Sequence, residues 1–426
     1  MIFMTDFNVV VSTNNGQAPT SSLSSQTVAF SHYNNLSGQL PIDPDSGQLV
    51  AGSIKAQMEQ CLNNIKAIVE SVDHVMDDIV KVTVYLKHMT DIDAVDEVYA
   101  TFFPNGVPAR TTVEVSALPM DALVQIDTLV SHGEGTIPNA PQAGDLVQVK
   151  RNTENAPSSP LSTQTVAFSH YNHLSAQLPI DPSSGQLVSG GIKEQTAQSL
   201  KNVKTILESI EVPFDDIVKL NIYLTNLKDV EAVNEVYTTF FPDSAIARAV
   251  AYVPARTVVE VAALPMDALI QIDVVVSHGD GTPPQEVEDR HGIVIEPNNT
   301  NQAPKSALST QSVAFSHYNH LSAQLPIDVS TGQLVEGGVK EQTEQCLKHI
   351  KAIVESVDHV MEDVVKVNLF VKDLADLEAV NEVYATFFPD GTPARTVVGT
   401  SSLPMDAFIQ IDAVVGNAEG TPPQVN

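Results

Sequence analysis

Three arginines stand out because each begins an apolar run that is typical of a β-strand. The sequence reads PARTTVEV around Arg110, PARTVVEV around Arg256 and PARTVVGT around Arg395. A guanidinium group is planar, stays charged at any working pH, and can bind a carboxylate through two parallel hydrogen bonds. A cation at the start of a strand, repeated three times, makes these arginines the first candidates for a functional role.

A structural ion pair is the alternative role for these arginines. Glu114 and Glu260 follow Arg110 and Arg256 at a spacing of four residues, which would place both charges on one face of a strand. The third copy has Gly399 at that position and still keeps Arg395. The arginine there does not depend on this partner, which favours a functional role.

The arginine motif belongs to a long internal repeat. The pair FF recurs at Phe102, Phe240 and Phe387, so the intervals are 138 and 147 residues, a period of whole domains. We expect three domains of one fold, covering residues 1–134, 135–280 and 281–426. The second and third begin with linkers rich in proline and glycine, and the second carries an eight-residue insertion near residues 245–253.

The elements within one repeat follow from hydrophobic periodicity. In the first copy, apolar residues recur at three- and four-residue steps over 56–71 and again from Ile92 to Phe103, which predicts two helices. Alternation of apolar and polar residues over 79–87 predicts a strand. The resulting order is β-β-β-α-β-α-β-β, an α+β unit in which two helices cover one face of a mixed sheet.

The net charge and the composition limit the binding partners that this chain could have. The formal net charge of −30 opposes binding to nucleic acid or to an anionic membrane surface. The sequence has no apolar run of the roughly 20 residues that a bilayer requires, so a cytoplasmic location is expected. Cys61 and Cys346 occupy equivalent helical positions, which indicates small helix residues rather than a disulfide or a metal site.

Other residues that could do chemistry have simpler explanations. His32, His170 and His317 lie in predicted hairpin turns, and His173 and His320 follow the latter two by three residues. This spacing suggests a metal site, but the first copy has an asparagine there and no further ligand is near, so we predict surface histidines and no bound metal. The paired phenylalanines are predicted to pack in the core.

The repeats resemble the RidA/YjgF family of small deaminases. The resemblance rests on PARTTVEV with a following LPMD, on SGQLPID upstream, and on the run VDEVYATFFP. It implies a chorismate-mutase-like fold and sites between subunits of a trimer, so this chain would be a monomeric pseudo-trimer. It also implies hydrolysis of 2-imino or 2-enamino acids, such as 2-iminobutanoate and 2-iminopropanoate, to 2-keto acids and ammonia without a cofactor.

The resemblance also assigns site residues. The substrate-binding arginine maps to Arg110, Arg256 and Arg395. A backbone amide that assists it maps to Gly38, Ala176 and Ala323, and an asparagine from the neighbouring subunit maps to Asp96, Asn234 and Asn381. The family's tyrosine is replaced by Ser24, Ser162 and Ser309, and its water-orienting glutamate by Gln125, Gln271 and Gln410.

These departures leave two functions open. Glutamine can hold a water molecule but cannot accept its proton, so the chain is either a deaminase or a small-carboxylate-binding or interaction protein of the same fold. Asp127, Asp273 and Asp412 follow the glutamines by two residues and could replace the glutamate, although solvated or salt-bridged acids are favoured. Asp96 would repel an anionic substrate, so fewer than three competent sites are expected.

Overall fold

The computed structural model describes residues 8–131, 147–241, 252–277, 294–389 and 393–417. The predicted domain boundaries and most of the predicted insertion, residues 245–251, lie outside these ranges. No helix in the described ranges is both long enough and apolar enough to cross a membrane.

The first repeat has the predicted order of elements. Its helix α1 begins two residues earlier than predicted, and strand β4 ends one residue earlier. The elements are β1 (Val11–Thr13), β2 (Thr27–Phe30), β3 (Tyr33–Leu36), α1 (Ile54–Ser71), β4 (Ile79–Leu86), α2 (Ile92–Phe102), β5 (Ala109–Glu114) and β6 (Val124–Ser131).

The second and third repeats keep this order and add a short hairpin before the first helix. The second comprises β7 (Val149–Arg151), β8 (Thr165–Phe168), β9 (Tyr171–Leu174), β10 (Ile180–Asp181), β11 (Gln186–Leu187), α3 (Ile192–Ser209), β12 (Ile217–Leu224), α4 (Val230–Tyr237), β13 (Ala255–Glu260) and β14 (Ile270–Ser277). The third comprises β15 (Glu296–Asn298), β16 (Ser312–Phe315), β17 (Tyr318–Leu321), β18 (Ile327–Asp328), β19 (Gln333–Leu334), α5 (Val339–Glu355), β20 (Val364–Val371), α6 (Leu377–Phe387), β21 (Ala394–Gly399) and β22 (Ile409–Gly416).

Each repeat forms one six-stranded mixed sheet. In the first, the strand order is β1-β2-β3-β6-β4-β5, and only the edge pair β4 and β5 is parallel. That pair sets Arg110 opposite Val82, at the start of the edge strand. The equivalent pairs set Arg256 opposite Leu220 and Arg395 opposite Val367. The arginines therefore lie at the edge where one sheet can meet the next repeat.

The two helices of each repeat cover one face of its sheet. The buried stripe of α1 includes Met58, Leu62 and Ile65, as the three- and four-residue spacing predicts. The predicted packing role of the paired phenylalanines is confirmed, because Phe103 is buried in this core and Phe102 packs against it. Both cysteines are buried, free thiols, and burial raises their pKa.

The opposite faces of the three sheets pack against one another. One apolar cluster joins strands of all three repeats and includes Phe30, Phe168 and Phe315. A second shared cluster includes Val113, Val259 and Val398. Burying this inner face is possible only when all three repeats are present, so the repeats form one closed pseudo-threefold body.

A polar belt lies inside this body, between the two shared clusters. Each of its three ion pairs joins two repeats: Lys81 with Asp273 at 3.4 Å, Lys219 with Asp412 at 3.0 Å, and Lys366 with Asp127 at 2.6 Å. The aspartates line the central cavity and none of them lines a cleft beside an arginine. The salt-bridged alternative is therefore confirmed, and substitution for the missing glutamate is wrong.

His170, His173 and His320 are buried, contrary to the prediction of surface histidines, whereas His32 and His317 are partly exposed. The rings of His32, His170 and His317 surround the pseudo-threefold axis, with centroids 6.3 to 6.4 Å apart. His173 and His320 line the central cavity and are buried. The inward face of the sheet buries them, which the turn-like sequence SHYN did not reveal. Within the described ranges no group of histidine, cysteine and acidic residues could hold a metal.

Replacing His173 and His320 by asparagine, the residue at the equivalent position 35, should make stability less dependent on acid. Burial lowers the pKa of both histidines to about 3, with Lys81 and Lys219 adding to the shift. The unfolded chain binds these protons below about pH 6.5, so unfolding takes up protons and wild-type stability falls as the pH drops from there toward 3.

The free energy of unfolding falls by at most about 1.4 kcal/mol per pH unit for each histidine. Denaturant midpoints measured at pH 7, 6 and 4.5 should therefore converge in the double variant. His88→Asn, at an exposed histidine, is the control and should leave the wild-type pH dependence in place. If the denaturant midpoint changed equally with pH in all three proteins, this result would contradict the buried, neutral state of His173 and His320.

Candidate functional site

Three clefts form where the arginine strand of one repeat meets the next repeat. We call them the 1–2, 2–3 and 3–1 clefts after the repeats that build them, the first-named repeat supplying the arginine. All fifteen residues that the resemblance assigned line these clefts: Asp96, Arg110, Ser162, Ala176 and Gln271 the 1–2 cleft, Asn234, Arg256, Ser309, Ala323 and Gln410 the 2–3 cleft, and Asn381, Arg395, Ser24, Gly38 and Gln125 the 3–1 cleft.

The next repeat fixes the backbone of each arginine. The arginine N–H donates to a serine Oγ at 2.8 Å in all three clefts, from Arg110 to Ser175, Arg256 to Ser322 and Arg395 to Ser37. We did not predict these serines, although the shared S of SGQ and SAQ marks them in every copy. They hold the start of the arginine strand against its neighbour.

The backbone amides of Gly38, Ala176 and Ala323 serve the same attachment. They donate to the carbonyl oxygens of Arg395, Arg110 and Arg256 at 3.0, 3.0 and 3.1 Å. The amide was expected to assist the guanidinium group in binding a substrate, but in this structure it is engaged by the arginine backbone. Its observed role is to position the arginine.

Packing fixes the side chains as well. Each guanidinium group lies over a tyrosine ring, with the carbon Cζ 4.4 to 4.6 Å from the ring centroid: Arg110 over Tyr99, Arg256 over Tyr237 and Arg395 over Tyr384. These rings are fully buried on the second helix of the same repeat. A cation over an aromatic face is stabilised by the ring quadrupole, so the arginine is held in one orientation.

The structural ion pair considered as an alternative does not form. Glu114 instead accepts a hydrogen bond from the backbone of Met89, and Glu260 accepts one from the backbone of Leu227 at 2.7 Å. Both carboxylates cap the turn that leads into the second helix of their own repeat. The arginine side chains remain directed to the clefts.

The residue beside each guanidinium group differs between the clefts. Asn234 Oδ1 accepts from Arg256 Nη2 at 2.7 Å, and Asn381 Oδ1 accepts from Arg395 Nη2 at 2.6 Å. In the 1–2 cleft, Asp96 forms an ion pair with Arg110 at 2.7 Å. In each case the acid or amide and the arginine belong to the same repeat, so the expected contribution from the neighbouring subunit is wrong for these three residues.

The Nε atoms of the three arginines also differ between the 1–2 cleft and the other two clefts. Arg110 Nε donates to Thr112 Oγ1 at 2.9 Å, whereas the equivalent residues in the other clefts are Val258 and Val397. Arg256 Nε and Arg395 Nε are buried and have no hydrogen-bond partner in the described part of the chain. A buried donor without a partner is costly, and a carboxylate would satisfy it.

Burial changes the pKa of Arg256 and Arg395. It lowers the pKa of Arg256 and Arg395 from the ordinary value, and the facing tyrosines, together with Glu231 in the case of Arg256, act in the opposite direction. A guanidinium group nevertheless stays protonated in proteins. Among the described residues, the 2–3 and 3–1 clefts therefore each present a buried positive charge without a carboxylate partner.

The 1–2 cleft is also the smallest. Its volume is 180 Å³, compared with 290 Å³ for the 2–3 cleft and 250 Å³ for the 3–1 cleft. With the charge of Arg110 neutralised by Asp96 and its Nε bound to Thr112, this cleft offers an anion little electrostatic stabilisation. The three sites are thus chemically unequal.

The glutamines approach the arginine strands from the next repeat. Gln125 Nε2 donates to the carbonyl oxygen of Val397 at 3.0 Å, and Gln410 Nε2 donates to that of Val258 at 3.2 Å. Each acceptor lies two residues after the arginine of the same cleft. Because the amide nitrogen is fixed in this way, the Oε1 atom is left as an acceptor for a water molecule or a ligand.

The sequence matches one family model three times. The model is described as Endoribonuclease L-PSP, and the matched segments are residues 16–132, 153–278 and 300–416. The chain belongs to this family, which includes the RidA and RutC proteins. The triple match shows that three copies of the family's domain are joined in one chain.

Relatives of the family match single repeats. A RutC family protein of Pyrococcus horikoshii is 47% identical over 105 residues, which is 25% of this chain and 83% of the relative. A human 2-iminobutanoate/2-iminopropanoate deaminase is 38% identical over 117 residues, 28% of this chain and 80% of the relative. A solved RidA structure from an Antarctic Psychrobacter is 35% identical, covers 28% of this chain and 96% of that one, and has a TM-score of 0.27.

We predict that two molecules of a small 2-keto acid, such as 2-oxobutanoate, bind to each chain, and that Asp96→Asn raises the number to three. The variant keeps an amide beside Arg110, as Asn234 and Asn381 do in the other clefts, and removes the competing charge. Isothermal titration calorimetry measures the stoichiometry.

The matched control is Asp93→Asn, which removes an exposed negative charge from the same helix, away from Arg110. It should leave the number of binding events at two. Three equal binding events in the wild-type protein would contradict the division of the clefts.

Proposed function

We propose that this RidA-type protein hydrolyses 2-imino acids to 2-keto acids and ammonia at the 2–3 and 3–1 clefts. The observation that carries the proposal is that the buried Nε donors of Arg256 and Arg395 have no hydrogen-bond partner among the described residues, in clefts that also hold a glutamine. Relatives that match single repeats are named 2-iminobutanoate/2-iminopropanoate deaminase, which supports this substrate class.

The proposed reaction needs only positioning and one water molecule. The substrate carboxylate accepts hydrogen bonds from the guanidinium group, and water held by Gln410 Oε1 or Gln125 Oε1 attacks the imine carbon. As the C–O bond forms, the π bond of the imine breaks and its nitrogen takes a proton from the attacking water, which gives a tetrahedral carbinolamine. A second proton moves from the hydroxyl oxygen to nitrogen, the C–N bond breaks as the carbonyl forms, and ammonia leaves the 2-keto acid. No metal or cofactor takes part in these steps.

The glutamine sets the expected rate. It can orient the attacking water but cannot remove its proton, and a positioned general base commonly contributes about 10²- to 10⁴-fold. The imine carbon is itself electrophilic, and holding water and substrate together contributes to the rate without a base. We therefore propose a deaminase slower than relatives that carry glutamate at this position.

The alternative function is a non-catalytic small-carboxylate-binding protein of the same fold. The specific observation in its favour is that all three glutamate positions hold glutamine: Gln125, Gln271 and Gln410. The arginines serve both functions equally. Under either proposal the partner is a small 2-imino or 2-keto acid, and we propose that the protein acts in the cytoplasm as a monomeric pseudo-trimer.

The first test generates 2-iminobutanoate in situ with an amino-acid dehydratase and follows its disappearance. We expect acceleration by the wild-type protein, loss of at least about 90% of it in Arg256→Ala/Arg395→Ala, and little change in Arg110→Ala, because Arg110 is already neutralised. Saturable binding of 2-oxobutanoate without acceleration would favour the binding protein. Equal losses in all three single arginine variants would contradict the assignment to two clefts.

The second test restores the missing acid. Gln125→Glu/Gln410→Glu should raise kcat by about tenfold or more. The rate should decrease when the pH drops below the pKa of the introduced carboxyl groups, because only the carboxylate accepts the proton. Gln271→Glu is the matched control, because it changes the cleft whose arginine is neutralised. A rate unchanged by the double substitution would show that proton transfer to this position does not limit the reaction.

A further inference from the structure

Among the described lining residues, only those of the 2–3 cleft include a second positive charge besides the arginine. Lys305 lines this cleft directly after the Ala-Pro segment of the third repeat. At the equivalent positions, Thr20 lines the 3–1 cleft and Ser158 lines the 1–2 cleft. The two clefts proposed to be active thus differ in charge at one matched residue.

Lys305 is available to a ligand. It is exposed, and its Nζ donates to the neutral side chain of Asn301 at 2.6 Å. It forms no ion pair with a carboxylate of the described residues, although acidic residues outnumber basic ones by 52 to 22 in the chain. A lysine that lines a cleft without an ion pair among the described residues, in so acidic a protein, can attract a second anionic group.

The cleft also has the volume for a larger ligand. At 290 Å³ it is the largest of the three, compared with 250 Å³ for the 3–1 cleft. Arg256 lies within it as the buried clamp for one carboxylate, and Lys305 lies on the exposed loop that lines it. The two cations therefore offer separate positions for two carboxylates of one molecule.

We propose that the 2–3 cleft selects dicarboxylic 2-imino and 2-keto acids, whose distal carboxylate binds Lys305, and that the 3–1 cleft selects monocarboxylic ones. The proposal rests on the carboxylate-binding role of Arg256 and Arg395, but it does not require turnover. One chain would then serve two substrate classes, because its repeats differ at this loop position.

The test compares two ligands of equal chain length, 2-oxoglutarate and 2-oxopentanoate, in proteins with one competent cleft. Arg395→Ala leaves the 2–3 cleft and Arg256→Ala leaves the 3–1 cleft. Calorimetry should show that the first variant binds 2-oxoglutarate roughly two- to fivefold more tightly than 2-oxopentanoate, a range suited to an exposed ion pair. The preference should weaken as salt is raised. The second variant should show no such preference.

Two loop substitutions transfer the preference between clefts with little risk to folding, because both residues are exposed. Lys305→Thr in the Arg395→Ala protein should abolish the preference for 2-oxoglutarate, and Thr20→Lys in the Arg256→Ala protein should create it. The same two loop substitutions in the protein with both arginines should shift the ligand preference in the same directions.

The outcomes separate this proposal from the proposed deaminase. An equal preference in both single-cleft proteins, or one that Lys305→Thr leaves intact, would overturn the selection by Lys305 and leave the deaminase untouched. Binding with the predicted preferences, but without imine turnover, would overturn the deaminase and support the selection. Absence of binding by either keto acid in either protein would overturn the selection by Lys305, while imine turnover decides the deaminase separately.

Discussion

The attachment of each arginine strand to the next repeat is the interaction on which the site depends. A serine hydroxyl accepts the arginine N–H at 2.8 Å, and the following Gly or Ala amide donates to the arginine carbonyl at 3.0 to 3.1 Å. The same pair of contacts joins repeat one to two, two to three and three to one. Closing the ring and building the clefts are therefore the same structural event.

The interior of the ring makes this attachment cooperative. The inner sheet faces bury apolar residues at two levels, with three Lys-Asp pairs between them that each join two repeats. A buried ion pair is costly to break because the remaining charge keeps its desolvation penalty. Separating one repeat would expose apolar surface and break two such pairs, so the clefts are held at a fixed geometry.

Joining three copies in one chain allows the clefts to differ while the ring stays the same. Asp96 neutralises Arg110 in the first cleft, whereas asparagine leaves Arg256 and Arg395 charged in the others. A symmetric trimer of identical chains must change all of its sites together. Here a single substitution alters one cleft, which is the physical basis for sites of unequal affinity and specificity.

Much of the fold, and the residues that line the clefts, could be predicted from the sequence. Periodicity gave the order of strands and helices, and the repeated motifs marked fifteen residues that line the clefts. Local patterns could not reveal the role of the histidines, because SHYN resembles an ordinary surface turn and only the closed ring buries it. They also could not assign Asp127, Asp273 and Asp412, since two residues on one strand face can enter different cavities.

The sequence by itself determined that three copies of one domain are present, that each carries an arginine at a strand start, and that one copy has an acid where the others have an amide. The tertiary structure alone decided which repeat supplies each wall of a cleft, and that the expected backbone amide donates to the arginine carbonyl. It also decided that the Nε atoms of Arg256 and Arg395 have no hydrogen-bond partner among the described residues, whereas that of Arg110 has one. These properties depend on contacts between residues far apart in the chain, and such contacts exist only once the ring has closed.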